Sequence, residues 1–110
     1  MSECIFCKNL PKVLENELAY ALYDIKPFTK GHMLFIPKRH IEQLFEASGQ
    51  EIMAIHELIN KAKFLLDKEH QPDGYNTLVN SGSEAGQIVM HAHVHLIPRY
   101  KGSEFKIPLH

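Results

Sequence analysis

Apolar residues recur along this chain with two different periods, and the switch between them outlines a fold. From Ser48 onward, Ile52, Ile55, Leu58, Ile59, Ala62, Leu65 and Leu66 return every three or four positions, the spacing of one face of an α-helix. Ser48 with Glu51 makes a capping-box pattern at the start, and Gln71-Pro72-Asp73-Gly74 supplies a turn at the end. The spacing predicts one long helix. Ahead of it, Glu15-Asn16-Glu17 reads as a turn before the run Leu18 to Tyr23, which predicts a hairpin between Val13 and Ile25. Pro27 to Gly31 reads as a loop, and His32-Met33-Leu34-Phe35-Ile36 as a buried strand stopped by Pro37. After the helix, Tyr75 to Asn80 reads as a strand, Ser81 to Gly86 as a loop, and Ile88 to Arg99 as a further strand. Strands on both sides of one long helix, without repeating strand–helix–strand units, predict an α+β domain with a mostly antiparallel sheet. No repeat, low-complexity tract or linker interrupts residues 1–110, which read as one domain.

Bulk composition narrows the function classes. A hydrophobic share of 45% with 23% charged residues fits a soluble globular domain. The formal net charge of −1 carries no basic footprint for a nucleic acid polymer. No apolar run reaches membrane-spanning length, and the first residues lack a signal-peptide layout, so no membrane partner and a cytoplasmic location are expected. Both cysteines lie in Cys4-Ile5-Phe6-Cys7. This Cys-x-x-Cys unit has three readings: a redox pair, two free thiols, or half of a tetrahedral zinc site.

The chemistry concentrates in His91-Ala92-His93-Val94-His95-Leu96-Ile97. On a strand the three imidazoles would share one face and the intervening residues the other. Several buried polar rings each demand a partner, which argues against ordinary core packing. A single ion on all three is strained, because alternate strand positions are roughly 7 Å apart at the backbone while Zn–N bonds are about 2 Å. Division of labour is expected, with one ring on a metal and another on substrate. Neutral imidazole suits attack on phosphorus, giving a phosphoramidate that water can discharge. Donors are then needed for the non-bridging oxygens, and Ser81-Gly82-Ser83-Glu84-Ala85-Gly86-Gln87 reads either as their source or as a plain connector.

The triad resembles the His-x-His-x-His-apolar-apolar signature of the histidine triad (HIT) superfamily of nucleotide hydrolases and transferases. Cys4-Ile5-Phe6-Cys7-Lys8, Tyr23-Asp24-Ile25, Gly31 to His40, Asn80 and Ala85-Gly86-Gln87 follow in the family's order. The ending Ile97-Pro98-Arg99-Tyr100-Lys101-Gly102 is more similar to the dinucleoside-polyphosphate hydrolase branches. The resemblance implies a HIT-like sheet of about five strands with one long and one short helix, and a homodimer joined across the long helix and a neighbouring strand. It implies that His93 attacks an α-phosphate to form a covalent nucleotidyl intermediate and release AMP or a similar nucleotide. His95 would contact the phosphate and leaving group, and His32 would orient the nucleophilic ring. Asp24 would take the ribose hydroxyls, and Ile5, Phe6, Leu22 and Ile25 the base. Asn80, Gly86 and Gln87 would attend the phosphates. For the cysteine pair it implies one structural zinc per chain on Cys4, Cys7, His40 and His91, leaving His93 for chemistry. His56, His70 and His110 read as solvated.

Three departures stand out. Ile88 replaces a Ser or Thr donor common in phosphoramidase-type members, the stretch from Cys7 to Asp24 is short, and little chain follows His95. Two other functions fit the same residues. One is a metal-dependent hydrolase with an open-coordination zinc on the histidine strand, which chelation would stop at once. The other is a non-catalytic nucleotide-binding module, with affinity but no product.

Overall fold

The computed structural model describes residues 4–102. Five strands form one antiparallel sheet: β1 (Leu14–Glu15), β2 (Ala19–Tyr23), β3 (Met33–Pro37), β4 (Gly74–Leu78) and β5 (Val94–Arg99), in the order β1-β2-β3-β5-β4. The long helix α1 spans Gly49–His70. The expected short helix takes the form of 3-10 turns at Ile5–Cys7, Leu44–Glu46 and Ser83–Ala85. No helix among the described residues is long and apolar enough to cross a membrane. His110 lies outside the described residues.

Asn16 makes the β1–β2 turn by accepting from the Leu18 and Ala19 N–H groups at 3.2 and 2.9 Å. Its Nδ2 donates to the Ala54 carbonyl at 2.9 Å, which ties the turn to α1. Strand alternation then sorts the sheet into two faces. Ala19, Ala21, Met33, Phe35, Val94 and Leu96 pack under Ile55, Leu58, Ala62 and Leu66 of α1. Tyr20, Leu22, Leu34 and Ile36 form a second cluster with Phe6 on the opposite face. Cross-strand pairing of Leu34 with His95 places the His95 ring on that second face.

Three expectations need correction. Residues 88–93 do not join the sheet, so only His95 of the triad lies within β5. The Ala92 N–H bonds the Ile41 carbonyl at 2.7 Å instead of β3, and the Pro37 carbonyl takes the His91 ring. The pairing of β5 with β3 therefore stops at Phe35↔Val94. Ile52 is 41% exposed, because Glu51 takes the buried position at the helix start. His70 is half-buried rather than solvated and closes on Gly31, where a Cβ would lie 3.0 Å from the His70 ring.

Glu51 is held by Arg39 through Nε at 3.1 Å and Nη2 at 2.8 Å, and by the Ser48 N–H at 2.8 Å. These bonds, Arg39 foremost, lower its carboxyl from the ordinary 4.5 to about 2. A carboxyl depressed by folding stabilises the native state above its unfolded pKa and loses that contribution as pH falls through the folded one. Glu51→Ala is expected to cost about 1–2 kcal/mol at neutral pH. Urea denaturation should show the gap to wild type closing between about pH 4.5 and 2, and a pH-independent gap would contradict this account.

Candidate active site and metal cluster

The 3-10 turn at Ile5–Cys7 brings the N-terminal cysteines onto the histidine face of the sheet. Tyr20 Oη donates to the Phe6 carbonyl and anchors the turn to β2. Cys4 Sγ then lies 3.2 Å from His91 Nδ1, Cys7 Sγ 3.5 Å from the same atom, and Cys7 Sγ 3.1 Å from His40 Nδ1. All four donor atoms fall within 4.8 Å of one another. A tetrahedral zinc with Zn–N near 2.0–2.1 Å and Zn–S near 2.3 Å spreads its ligand atoms to roughly 3.3–3.8 Å. The cluster's sulfur–nitrogen contacts of 3.1–3.5 Å, in a set that spans no more than 4.8 Å, put all four donors within reach of one ion. His91 also has the right tautomer: its Nε2–H donates to the Pro37 carbonyl at 2.8 Å, so Nδ1 presents the lone pair. Burial, aided by neighbouring His40 and His93, pushes the His91 pKa below its ordinary value against the opposing Pro37 bond, which keeps the ring neutral as a ligand must be. The residues fit zinc as a closed, structural Cys2His2 set.

His93 is 3% exposed. Its Nδ1–H donates to the His91 carbonyl at 2.8 Å, which leaves the lone pair on Nε2. Phe6 packs edge-on against the ring with centroids 5.2 Å apart, and His95 lies 5.0 Å away on the same measure.

His32 meets a different ring from the one expected. Its Nε2 lies 2.9 Å from His95 Nδ1, while the His93 ring is set by the His91 carbonyl. The cause is register: Met33 pairs with Leu96, so His32 at the foot of β3 approaches His95 diagonally. Asp24 Oδ2 stands 3.5 Å from His32 Nε2, and the Lys26 N–H donates to Asp24 Oδ1 at 3.0 Å.

The other predicted residues are distributed unevenly. Phe6 and Leu22 are buried together, whereas Ile5 is 43% and Ile25 86% exposed. Asn80 is buried just beyond β4. Gln87 donates both amide hydrogens to main-chain carbonyls, of Glu42 at 2.7 Å and Val89 at 3.0 Å, and accepts from the Gly82 N–H at 2.7 Å. Its side chain braces the 82–89 loop. The N–H groups of Ala85, Gly86 and Gln87 turn inward to Gly82 and Ser83 carbonyls, and Gly86 closes the turn at φ 98. A surface groove of about 680 Å³ lies elsewhere, between the β1–β2 turn and the first half of α1.

Main-chain groups are what side-chain spacing missed: the Pro37 and His91 carbonyls and the Phe28 N–H, which donates to His32 Nδ1 at 2.9 Å. The one available signal was the requirement that every buried ring find a partner.

The family described as HIT domain matches residues 8–102. "Protein hit" of Bacillus subtilis is 44% identical over 109 residues, covering 93% of this chain and 75% of its own length. Adenosine 5′-monophosphoramidase hnt1 of Schizosaccharomyces pombe is 40% identical over 102 residues, covering 87% and 74%. A zinc-bound histidine triad family protein from Mycobacterium smegmatis superposes with a TM-score of 0.82 at 30% identity, covering 94% and 79%.

Elemental analysis of the purified chain is expected to find about one zinc per chain. Cys7→Ala is expected to lose that metal and to lower the melting temperature by several degrees, since removing a structural ion withdraws folding free energy. Full zinc retention in Cys7→Ala would remove Cys7 from the ligand set.

Proposed function

The chain belongs to the HIT family, and from that membership we propose that it is a nucleotidyl hydrolase acting through a covalent intermediate on His93. The substrates are nucleoside 5′-phosphoanhydrides or phosphoramidates, such as diadenosine polyphosphates or adenylated compounds, and the product is AMP or a similar nucleotide. One observation carries the reading: the His91 carbonyl accepts a hydrogen bond from the His93 Nδ1–H at 2.8 Å, so the nucleophilic lone pair belongs to Nε2.

In the first step the Nε2 lone pair of His93 bonds to the α-phosphorus while the bond to the leaving group breaks. The Nδ1–H keeps its hydrogen bond to the His91 carbonyl, which helps bear the positive charge of the modified ring. His95 hydrogen-bonds a phosphoryl oxygen, and His32 holds His95. Asp24 receives the ribose hydroxyls, a pairing that suits a carboxylate and a vicinal diol. Phe6, Leu22, Ile5 and Ile25 supply apolar surface for the base, and Asn80 serves the phosphates. Gln87 and Gly86 shape the adjoining loop. Water then attacks phosphorus, the P–N electron pair returns to Nε2, and the surplus proton passes to solvent.

Cys4, Cys7, His40 and His91 hold zinc in its structural role, which fixes the His91 main chain beneath the nucleophile. Two cysteines and two histidines fill a tetrahedral set, so hydrolysis by an open-coordination zinc is the weaker reading. The protein works in the cytoplasm, where such a thiol pair stays reduced. It assembles as a homodimer through the edge strand β4 and the adjacent helix. Exposed Ile52 (41%), Met53 (74%) and Val79 (36%) support that surface.

His93→Ala is expected to reduce AMP release by at least about a thousandfold, as loss of a nucleophile does, with an unchanged circular dichroism spectrum and melting curve. Acid-quenched wild type should carry an adenylate on His93 by mass spectrometry. Undiminished AMP release by His93→Ala would falsify the assignment.

A further inference from the structure

The two cysteines are placed so that their sulfurs can meet. The Cys7 N–H bonds the Cys4 carbonyl at 3.1 Å and closes a tight turn. Over three residues a 3-10 turn advances roughly 6 Å, and the side chains at its ends eclipse. A disulfide tolerates α-carbons about 4.4–6.8 Å apart, so the turn's own dimensions admit one. The sulfurs lie within 4.8 Å of each other and of the imidazole donors of His40 and His91. One rim of this cluster faces solvent: Cys7 and His40 are exposed, Cys4 is half-buried and His91 is buried. Two contacts join the cluster to the nucleophile. The Ile5–Cys7 turn carries Phe6, whose ring packs on His93 with centroids 5.2 Å apart. The His91 carbonyl accepts the His93 Nδ1–H at 2.8 Å.

We propose that Cys4 and Cys7 form a peroxide-reactive modification site, which closes to a disulfide, releases the metal and disengages His93. The thiol chemistry stands on the cluster alone, while its effect on turnover rests on the nucleotidyl-transfer reading. Cysteines that hold zinc are deprotonated, and the thiolate is the reactive form of sulfur. The exposed Cys7 thiolate attacks one oxygen of hydrogen peroxide, the O–O bond breaks, and hydroxide leaves to give a sulfenic acid. The Cys4 thiolate then bonds to the Cys7 sulfur, and the S–O bond breaks with loss of a second hydroxide. Two protons from solvent convert both hydroxides to water. The sulfurs together lose two electrons and the peroxide gains them. A disulfide presents no thiolate, so the donor set falls from four to His40 and His91. His91 loses its tether at Nδ1 and keeps the Nε2–H bond to the Pro37 carbonyl. Its carbonyl then holds the His93 ring less firmly, and the turn shifts Phe6 as it draws in to close the S–S bond. The core under α1 contains none of the four ligands, so the fold persists. A dithiol reductant restores the thiolates, and with them the metal site.

The test exposes the reduced, zinc-loaded protein to hydrogen peroxide in the presence of a chromogenic zinc chelator. About one zinc per chain is expected to be released. The denatured chain should then weigh two hydrogens less than the reduced form, with Cys4 joined to Cys7 in the peptide map. Zinc retained at peroxide levels that oxidise a free cysteine peptide overturns the proposal. So does release with Cys7 found as a sulfinic acid or bridged to a second chain. Nitrogen NMR of the His93 imidazole, recorded without substrate, is expected to change on oxidation and to return after dithiothreitol and zinc. Unchanged His93 signals overturn the link to the nucleophile. With adenosine 5′-phosphoramidate as substrate, kcat is expected to fall at least about tenfold on oxidation, with KM little changed, and to recover on reduction with zinc. Full kcat in the oxidised protein overturns the effect on catalysis, and so does a loss of kcat that tracks loss of the helical circular dichroism signal. If the reduced protein releases no AMP and forms no His93 adenylate, the nucleotidyl reading fails, while the zinc, mass and NMR results still decide the thiol site.

Discussion

A buried imidazole has to set its one proton against an acceptor and its lone pair against a donor or a metal, and that requirement governs this molecule. Four histidines, at positions 32, 91, 93 and 95, are exposed by 3% or less. Leaving a buried polar atom unmatched costs about 1–3 kcal/mol, so their partners cannot be incidental. Three of the partners are main-chain groups: the Pro37 carbonyl for His91, the His91 carbonyl for His93, and the Phe28 N–H for His32. Main-chain groups move only with the fold. Each ring is thereby committed to one tautomer, and identical side chains acquire different chemistry. His91 offers Nδ1 to the cysteines, His93 offers a lone pair at Nε2, and His95 Nδ1 meets His32 Nε2 at 2.9 Å.

The sheet bends its own rules to supply those partners. Pro37 ends β3 with its carbonyl turned away from β2 toward His91. Pro98 sits inside β5 beyond the last residue that β3 pairs, where a missing N–H disturbs no ladder. Its carbonyl instead accepts from Thr29 Oγ1 at 2.6 Å, while Tyr100 Oη donates to the Lys30 carbonyl at 2.6 Å. Both bonds clamp the 26–31 loop, which carries the Phe28 N–H. Gly31 completes the clamp at φ 91, with Leu66, His70 and Pro98 so near that any Cβ would crowd them. The contact between His32 and His95 thus depends, through Phe28, on bonds made by the end of β5.

Much of this was legible in the residues. The helix emerged from its cap and its apolar period, because Ser48 and Glu51 act locally and Ile55, Leu58, Ala62 and Leu66 repeat one contact. Asn16 marked its turn for the same local reason. Division of labour among the histidines followed from spacing alone, and the family resemblance supplied the partners His40 and His91 for the cysteines. What escaped was non-local. Alternation from Ile88 to Arg99 looks like one strand, yet Ala92 finds Ile41 across the fold and leaves the ladder. The pairing of His32 with His95 depends on register between β3 and β5, which side-chain period cannot fix. Ile52 satisfied the helical stripe but lost the buried position to Glu51, whose partner Arg39 lies twelve residues upstream.

The two faces of the sheet divide the burdens of stability and chemistry. Under α1 the packing is apolar and continuous, from Ala19 and Phe35 to Leu66, and such burial is the main stabilising term in a domain of this size. The opposite face holds a smaller apolar cluster around Phe6, Tyr20 and Leu34, with the imidazoles beside it. A face built of directional partners contributes less burial per residue, but it fixes atoms in orientation as apolar contact cannot. Helix-side packing therefore secures the strands whose ends carry the site. The histidine face can then be specialised residue by residue without carrying the fold. Local rules fail chiefly on this second face, at Pro37, Ala92 and Pro98, which is where function competes with regular pairing.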